Sequence, residues 1–191
     1  AYQQYGLVKV IPPREWHARK SGSYEDVPSM EIPLPIKQVL QGTRGTYQQY
    51  NIEQKPIQVS VFEEMAAKVM TESKVAKLGP RERDRAYWRT VAFNPVLYGA
   101  DMPGSLFDSD LEAWNLARLP SLLKLLPTKL AGVNEPYIYF GMWKAAFAWH
   151  VEDMELYSIN YVHYGEPKAW YSVPQGEMSK FEQAASTIFP D

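Results

Sequence analysis

The second half of this chain carries a residue pattern that restricts it to a sheet-forming fold. Aromatic and β-branched residues alternate with other types from Tyr137 to Trp143 and again from Tyr157 to Tyr171. A period of two places successive side chains on opposite faces of a strand, and aromatic residues are enriched in strands. The segment Gly165-Glu166-Pro167 interrupts the second run as a turn. The sequence therefore predicts strands from about residue 137 onward.

Helical spacing is found on either side of these runs. A capping box at Ser60–Glu63 opens the first predicted helix, and a second is predicted from about Ser109, with Glu112 three residues on, until Pro120 interrupts it. Leu122–Leu126 continues the apolar stripe and is expected in the core, and residues 177–188 form an amphipathic helix. The apolar faces are Phe62, Met65, Ala66, Val69 and Met70 in the first helix and Leu111, Trp114 and Leu119 in the second.

Prolines and glycines recur through the stretch between residues 20 and 56, which includes Pro28, Pro33, Pro35, Gly42 and Gly45. Such residues punctuate the chain, so irregular structure with short extended pieces is expected there. Residues 1–20 form a short lead-in.

Length and composition exclude several classes of chain. With 191 residues, 46% of them hydrophobic, the chain can bury a sizeable core as one domain. A net charge of −2 and a pI near 6.0 give no sign of a global nucleic-acid-binding surface. No stretch has the apolar length of a membrane span, and no signal peptide opens the chain. The absence of cysteine excludes disulfides and thiolate zinc sites within these residues.

The run from Phe147 to Met154 carries the clearest chemical signal. His150 and Glu152 are two residues apart, so on an extended segment they project from the same face. An imidazole nitrogen and a carboxylate oxygen in that position can bind one metal. With a distant histidine they would complete the facial triad of non-haem Fe(II) oxygenases. Taken alone, the pair is more simply interpreted as part of an ordinary strand edge.

A third ligand is not evident in the chain. The remaining histidines are His17 and His163, and His163 lies within a predicted strand, where a packed or hydrogen-bonded histidine is expected. Lys168 shares one strand face with Trp170. A buried lysine needs a partner, and an anionic co-substrate beside the metal would supply one.

Four motifs, in this order, resemble the JmjC domain of the JmjN–JmjC histone lysine demethylases. They are Tyr-Ile-Tyr-Phe-Gly-Met-Trp-Lys from residue 137, Phe-Ala-Trp-His-x-Glu-Asp-Met from residue 147, Leu-Tyr-Ser-Ile-Asn-Tyr from residue 156 and Gly-Glu-Pro-Lys-x-Trp-Tyr from residue 165. Residues 93–101 resemble the segment in which this family places its co-substrate tyrosine. Residues 9–16 resemble the end of the JmjN domain, so the resemblance covers nearly the whole chain.

The resemblance implies an α+β fold with a mainly-β core, a double-stranded β-helix (a cupin-like jelly roll) surrounded by helices. It implies the end of a JmjN-like segment in residues 1–20, a linker of mixed helix and short strands in 21–107, and the N-terminal part of the JmjC domain in 108–191. The family's third histidine, and a zinc site of many members, would follow residue 191. The sequence is thus expected to be a piece of a longer enzyme, incomplete at the C-terminus and inactive alone.

By the same resemblance, His150 and Glu152 are the catalytic iron ligands. Lys168 would pair with the distal carboxylate of 2-oxoglutarate, Tyr98 would add a hydrogen bond to it, and Asn160 would donate an amide hydrogen bond near the metal.

Phe147 and Trp170 would wall the same pocket against water. Without the resemblance, core packing would be the simpler interpretation of these two rings. An exposed lysine at a strand end would be the simpler interpretation of Lys168.

The resemblance also implies a substrate site. Asp101 and Tyr137 match positions near a histone peptide, and Gly132 and Tyr139 match positions beside its N-methyl groups. A methylated ammonium suits oxygen-lined or aromatic surroundings. An alternating aromatic strand would also explain Tyr137 and Tyr139.

The expected activity is that of a histone lysine demethylase of the nucleus, which removes methyl groups from tri- or dimethyl-lysine of the histone H3 tail in chromatin. Fe(II) and 2-oxoglutarate would be required, and formaldehyde would be released. Two alternatives remain: a non-catalytic chromatin-binding scaffold and a JmjC protein hydroxylase. No sequence-specific nucleic-acid binding and no membrane partner are expected.

Overall fold

The computed structural model describes residues 2–43 and 45–189. Helices and antiparallel sheets are mixed along the chain, which confirms the predicted α+β class. Two compact units divide the chain: a large unit, Ala18–Ile159, and a small unit, which combines Ala1–His17 with Asn160–Asp191. The predicted divisions near residues 20 and 107 stay predictions.

Two antiparallel sheets lie in the large unit. The smaller pairs β1 (Glu31–Ile32) with β4 (Ile57–Gln58). The larger has four strands in the order β3-β2-β5-β6. Its strands are β2 (Ile36–Thr43), β3 (Thr46–Glu53), β5 (Val96–Pro103) and β6 (Tyr137–Phe140). The predicted strand at residue 137 is therefore confirmed as β6, an edge partner of β5.

The expectation of irregular structure between residues 20 and 56 is wrong, because β2 and β3 form a long hairpin there. Their register runs from Ile36 opposite Glu53 to Thr43 opposite Thr46. Gly42 is required near the turn, since a Cβ at that position would lie 2.0 Å from the carbonyl oxygen of Thr46. The glycines that suggested irregular chain thus serve a tight hairpin.

The helices are α1 (Tyr2–Tyr5), α2 (Val59–Ser73), α3 (Pro80–Thr90) and α4 (Met178–Ile188). The first and last predicted helices are confirmed as α2 and α4. The Ser60–Glu63 capping box is wrong, since α2 begins at Val59, whose N–H donates to the carbonyl of Met30 at 2.9 Å. None of the helices in the described residues is long and apolar enough to cross a lipid bilayer.

The helix predicted from Ser109 is wrong. Within residues 109–120 the structure has only a 3-10 turn, Leu116–Arg118. The buried amide of Asn115 donates to the carbonyls of Asp108 and Leu111 (3.1 and 3.0 Å), and its oxygen accepts from the N–H of Ala117 at 3.0 Å. A side chain that binds nearby backbone in this way replaces helical hydrogen bonds.

Apolar side chains that were expected to be buried by that helix and its continuation face solvent instead. Trp114 is 49% exposed and takes a positive φ of 59°. Leu122 and Leu125 are 84% and 80% exposed, so the core placement of Leu122–Leu126 is also wrong.

The strands predicted between residues 157 and 171 are wrong for the described part of the chain. Residues 141–189 contain no β-ladder. Extended backbone becomes a strand only when a partner satisfies its N–H and C=O groups, and no described segment pairs with these runs. Alternating side chains alone could not supply that partner.

The core of the large unit joins both sheets to α2. Buried side chains from β1, α2, β5 and β6 form one cluster together with Val27 and Leu106. Its members are Val27, Ile32, Val59, Phe62, Met102, Leu106, Ile138 and Phe140. The cluster therefore fixes strands β5 and β6 against the helix.

Aromatic packing and a long-range hydrogen bond lie within the small unit. The ring of Tyr161 lies edge-on to Trp16 (centroids 5.3 Å apart) and to His163 (4.8 Å). The hydroxyl of Ser172 donates to the carbonyl of Tyr5 at 2.6 Å. His163 is thus a packed histidine, as the sequence indicated.

Replacing Phe62 with alanine should lower the free energy of unfolding by about 3–5 kcal/mol, because a fully buried ring is lost and a cavity remains. Val61 is adjacent on α2 but 45% exposed, so Val61→Ala should cost no more than about 1 kcal/mol. Chemical denaturation of the two variants measures this. Equal losses would show that α2 does not bury the face assigned to it.

Candidate functional site

Strand β5 presents two of the predicted site residues. Tyr98 pairs with Ile36 of β2, and on the other edge Gly99 and Met102 pair with β6. The register shifts between Gly99 and Met102, and Asp101 lies in that irregularity with a positive φ of 56°. A bulge turns a side chain away from its regular direction. No residue pattern in β5 predicts this bulge.

The bulge brings the carboxylate of Asp101 to Tyr139 on β6, whose hydroxyl donates to it at 3.2 Å. Burial raises the pKa of the Tyr139 hydroxyl, and the negative charges of Asp101 and Glu152 add to the effect. Burial likewise raises the pKa of Tyr98. Both phenols therefore remain protonated donors at physiological pH.

Four rings connect these strands to the His150 segment. Phe147 packs against Tyr98 with centroids 5.1 Å apart, and against Tyr139 at 5.4 Å. The same ring lies edge-on to His150 at 5.9 Å. Phe147 is 42% exposed, so plain core packing does not account for it. It forms one wall of a half-open aromatic site.

His150 and Glu152 face each other, with His150 Nε2 3.9 Å from Glu152 Oε1. The imidazole Nδ1 lies 2.8 Å from the carbonyl oxygen of Ala148. A carbonyl can only accept, so Nδ1 carries the proton in this contact, and in the neutral imidazole Nε2 is then the nitrogen with the free lone pair. Fixing the tautomer in this way prepares a histidine for metal binding.

His150 and Glu152 together offer part of the donor set of a metal site. One imidazole nitrogen and one carboxylate oxygen, each about half exposed, suit Fe(II) as two of three protein ligands. Among the described residues, no group of three or more His, Cys, Asp and Glu side chains could hold a metal.

Tyr137 and Gly132 form a close contact beside this site. The Tyr137 ring is edge-on to Tyr139, with centroids 6.3 Å apart. Gly132 has a φ of +77°, and a Cβ there would lie 2.5 Å from the Tyr137 ring. Only glycine allows both the backbone conformation and the position of that ring.

Lys144 lies at the start of the segment that leads to Phe147 and His150. The sequence did not predict its contacts. Its ammonium donates to the carbonyls of Thr90 and Asn94 at 3.2 Å each and also to that of Phe93. Burial lowers the pKa of Lys144. A lone lysine in an aromatic run carries no sequence signal for such contacts.

Asn160, Lys168 and Trp170 belong to the small unit. Lys168 is half-buried with its pKa lowered by burial, and its Nζ lies 5.3 Å from the centroid of the Trp170 ring. The alternative interpretation of Lys168 as a freely exposed lysine at a strand end is therefore wrong. Asn160 is exposed and Trp170 is 46% exposed, so neither is a core residue. The roles of all three stay predictions.

This chain is similar in sequence to a JmjC family model and to several lysine-specific demethylases. A family model described as the JmjC domain, hydroxylase, matches residues 137–190. Lysine-specific demethylase 4B of Mus musculus is 43% identical over 97% of this chain and 17% of its own length. Probable lysine-specific demethylase 4F of Homo sapiens is 43% identical (97% and 29%), and lysine-specific demethylase 4D of Rattus norvegicus is 42% identical (97% and 36%). The chain thus spans between a sixth and about a third of these relatives.

Gly132→Ala should be more destabilising than Gly22→Ala by about 1–3 kcal/mol. Both glycines lie in the large unit at positive φ, but only Gly132 has a neighbour where the new methyl group would be, since nothing lies within 4 Å of that position at Gly22. Denaturant titration of the two variants gives the difference. Equal stabilities would contradict the contact between Gly132 and Tyr137.

Proposed function

This chain belongs to the JmjC demethylase family, whose cupin-like class fits the observed mixture of antiparallel sheets and helices, and we propose that its complete protein is an Fe(II)- and 2-oxoglutarate-dependent histone lysine demethylase. The observation that carries the proposal is the arrangement of His150 and Glu152. A tautomer-fixed Nε2 faces a carboxylate next to an aromatic wall that includes Tyr98.

His150 and Glu152 would hold the iron, which together with 2-oxoglutarate supplies the activation of O₂. Half exposure of both side chains leaves room for further ligands at the ion. The Nδ1–H···O=C bond to Ala148 keeps the imidazole from rotating, so the histidine offers the same nitrogen throughout turnover.

Lys168 and Tyr98 would bind the distal carboxylate of 2-oxoglutarate. Lowering of the Lys168 pKa by burial means that its ammonium is under-solvated and gains from an anionic partner. Tyr98 remains a hydroxyl donor, and Asn160 would donate near the keto-acid end. Phe147 and Trp170 would limit the access of water to the pocket.

The proposed substrate is a methylated lysine of the histone H3 tail, in the chromatin of the nucleus. Tyr139, held by Asp101, directs a phenol oxygen into the site beside Glu152. Oxygen atoms and aromatic faces suit a methylammonium, which keeps its charge but loses N–H donors. Asp101, Tyr137 and Gly132 would contact the peptide around it.

The reaction would hydroxylate the N-methyl carbon. The resulting N–CH₂–OH group loses its hydroxyl proton as the C–N bond breaks, which gives formaldehyde and the lysine amine with one methyl group fewer. A protein hydroxylase, which the description of the matching family also names, would stop at a stable alcohol. Formaldehyde release therefore distinguishes the two activities.

His150→Ala in the complete protein should abolish demethylation, because a metal ligand is removed. The matched control is His163→Ala, in which a histidine packed on Tyr161 is lost instead; this variant should retain most of the activity. Formaldehyde release and mass spectrometry of a methylated H3 peptide measure both. Undiminished turnover by His150→Ala would defeat the metal assignment, and a stable hydroxylated product from the unsubstituted protein would favour the hydroxylase.

Lys168→Ala should raise the 2-oxoglutarate concentration needed for half-maximal rate by roughly two orders of magnitude or more, since removal of one partner of a buried ion pair costs about 3–5 kcal/mol. Tyr98→Phe removes only a neutral hydrogen bond and should have a clearly smaller effect. Lys180, exposed in α4 and paired with Glu177, provides a control through Lys180→Ala. An unchanged 2-oxoglutarate requirement in Lys168→Ala would exclude Lys168 from the pocket.

A further inference from the structure

Gln38, on β2, is buried to 2% exposure and binds the backbone of a residue 108 positions away. Its side-chain Nε2 donates to the carbonyl of Ala146 at 2.8 Å, and its Oε1 accepts from the N–H of Ala146 at 2.9 Å. The amide thus pairs with Ala146 as a neighbouring strand would, with one bond in each direction.

Packing alone does not explain a glutamine in this position. Burial of an amide costs free energy unless its hydrogen bonds are replaced, and here both ends of the amide are satisfied by a single residue. Ala146 lies outside any strand. Without Gln38, the N–H and C=O of this half-buried residue would lose both hydrogen bonds.

The bridge joins the strands of the site to the segment that carries the metal pair. Gln38 is opposite Val96 on β5, two residues from the pairing of Ile36 with Tyr98. On the other side, Ala146 immediately precedes Phe147, whose ring contacts both Tyr98 and His150.

Residues 145–152 form neither helix nor strand, so regular backbone hydrogen bonds do not fix their course. Lys144 anchors the beginning of this segment on the carbonyl of Thr90, the last residue of α3, and on that of Asn94 beyond it. We infer that Gln38 is the positioning residue that fixes the Phe147–Glu152 segment for metal binding, an inference that rests on the proposed function.

The variant Gln38→Met tests this inference in the complete protein, because it keeps the length of the side chain and removes both hydrogen bonds. Gln38→Leu, which also lacks both hydrogen-bonding groups, is the second variant if Gln38→Met does not fold. Val75→Ala is the control for general destabilisation, since Val75 is buried in the turn after α2.

Two readouts separate positioning from stability. Hydrogen exchange of residues 145–152, measured without metal, should accelerate in Gln38→Met and stay at the unsubstituted rate in Val75→Ala. Mn(II) affinity, measured by electron paramagnetic resonance, should fall about 10–100-fold in Gln38→Met, the usual effect of losing a group that orients a metal ligand, and stay unchanged in Val75→Ala.

Unchanged exchange in Gln38→Met, or faster exchange with undiminished Mn(II) affinity, would overturn the inference. An equal loss of affinity in Val75→Ala would also overturn it, since general destabilisation would then suffice. If the unsubstituted protein bound no Mn(II) and released no formaldehyde, the proposed function would fall. Faster exchange in Gln38→Met would still show that Gln38 holds the segment.

Discussion

Hydrogen bonding along both edges of β5 is the constraint on which the site depends. β2 fixes one edge through Ile36–Gln38, and β6 fixes the other through Ile138 and Phe140. A strand held on both sides cannot shift register without moving its neighbours. The bulge at Asp101 therefore has a fixed position, and with it the hydrogen bond from Tyr139.

The position of His150 and Glu152 depends on this sheet indirectly. Their segment has no ladder of its own, and side chains from elsewhere hold it: Gln38 at Ala146, and the rings of Tyr98 and Tyr139 at Phe147. Such a segment is oriented by few contacts, so each contact has a large influence on where His150 and Glu152 point. The strand side of the site is thus held by ladders of backbone hydrogen bonds, and the His150–Glu152 side by a few side-chain contacts.

The sequence predicted those parts of the fold in which local pattern and tertiary environment agree. Periodicity found α2, α4 and β6, and the His-x-Glu motif located two side chains that lie 3.9 Å apart in the structure. The β2–β3 hairpin was not predicted, because pairing with neighbouring strands makes it part of a sheet and its glutamine-rich composition does not indicate a strand. The helix near Ser109 was predicted wrongly because one buried side chain, Asn115, takes over the backbone hydrogen bonds there. The role of Gln38 has no local signal, since its partner is distant in sequence.

The central claim is that His150 and Glu152 together bind the catalytic metal of the complete protein. Crystals of that protein grown with Mn(II), with diffraction recorded at the manganese absorption edge, test it most directly. The account predicts an anomalous peak within bonding distance of both His150 Nε2 and a Glu152 carboxylate oxygen. A peak bound by other side chains, or well-ordered His150 and Glu152 with no peak between them, would contradict it.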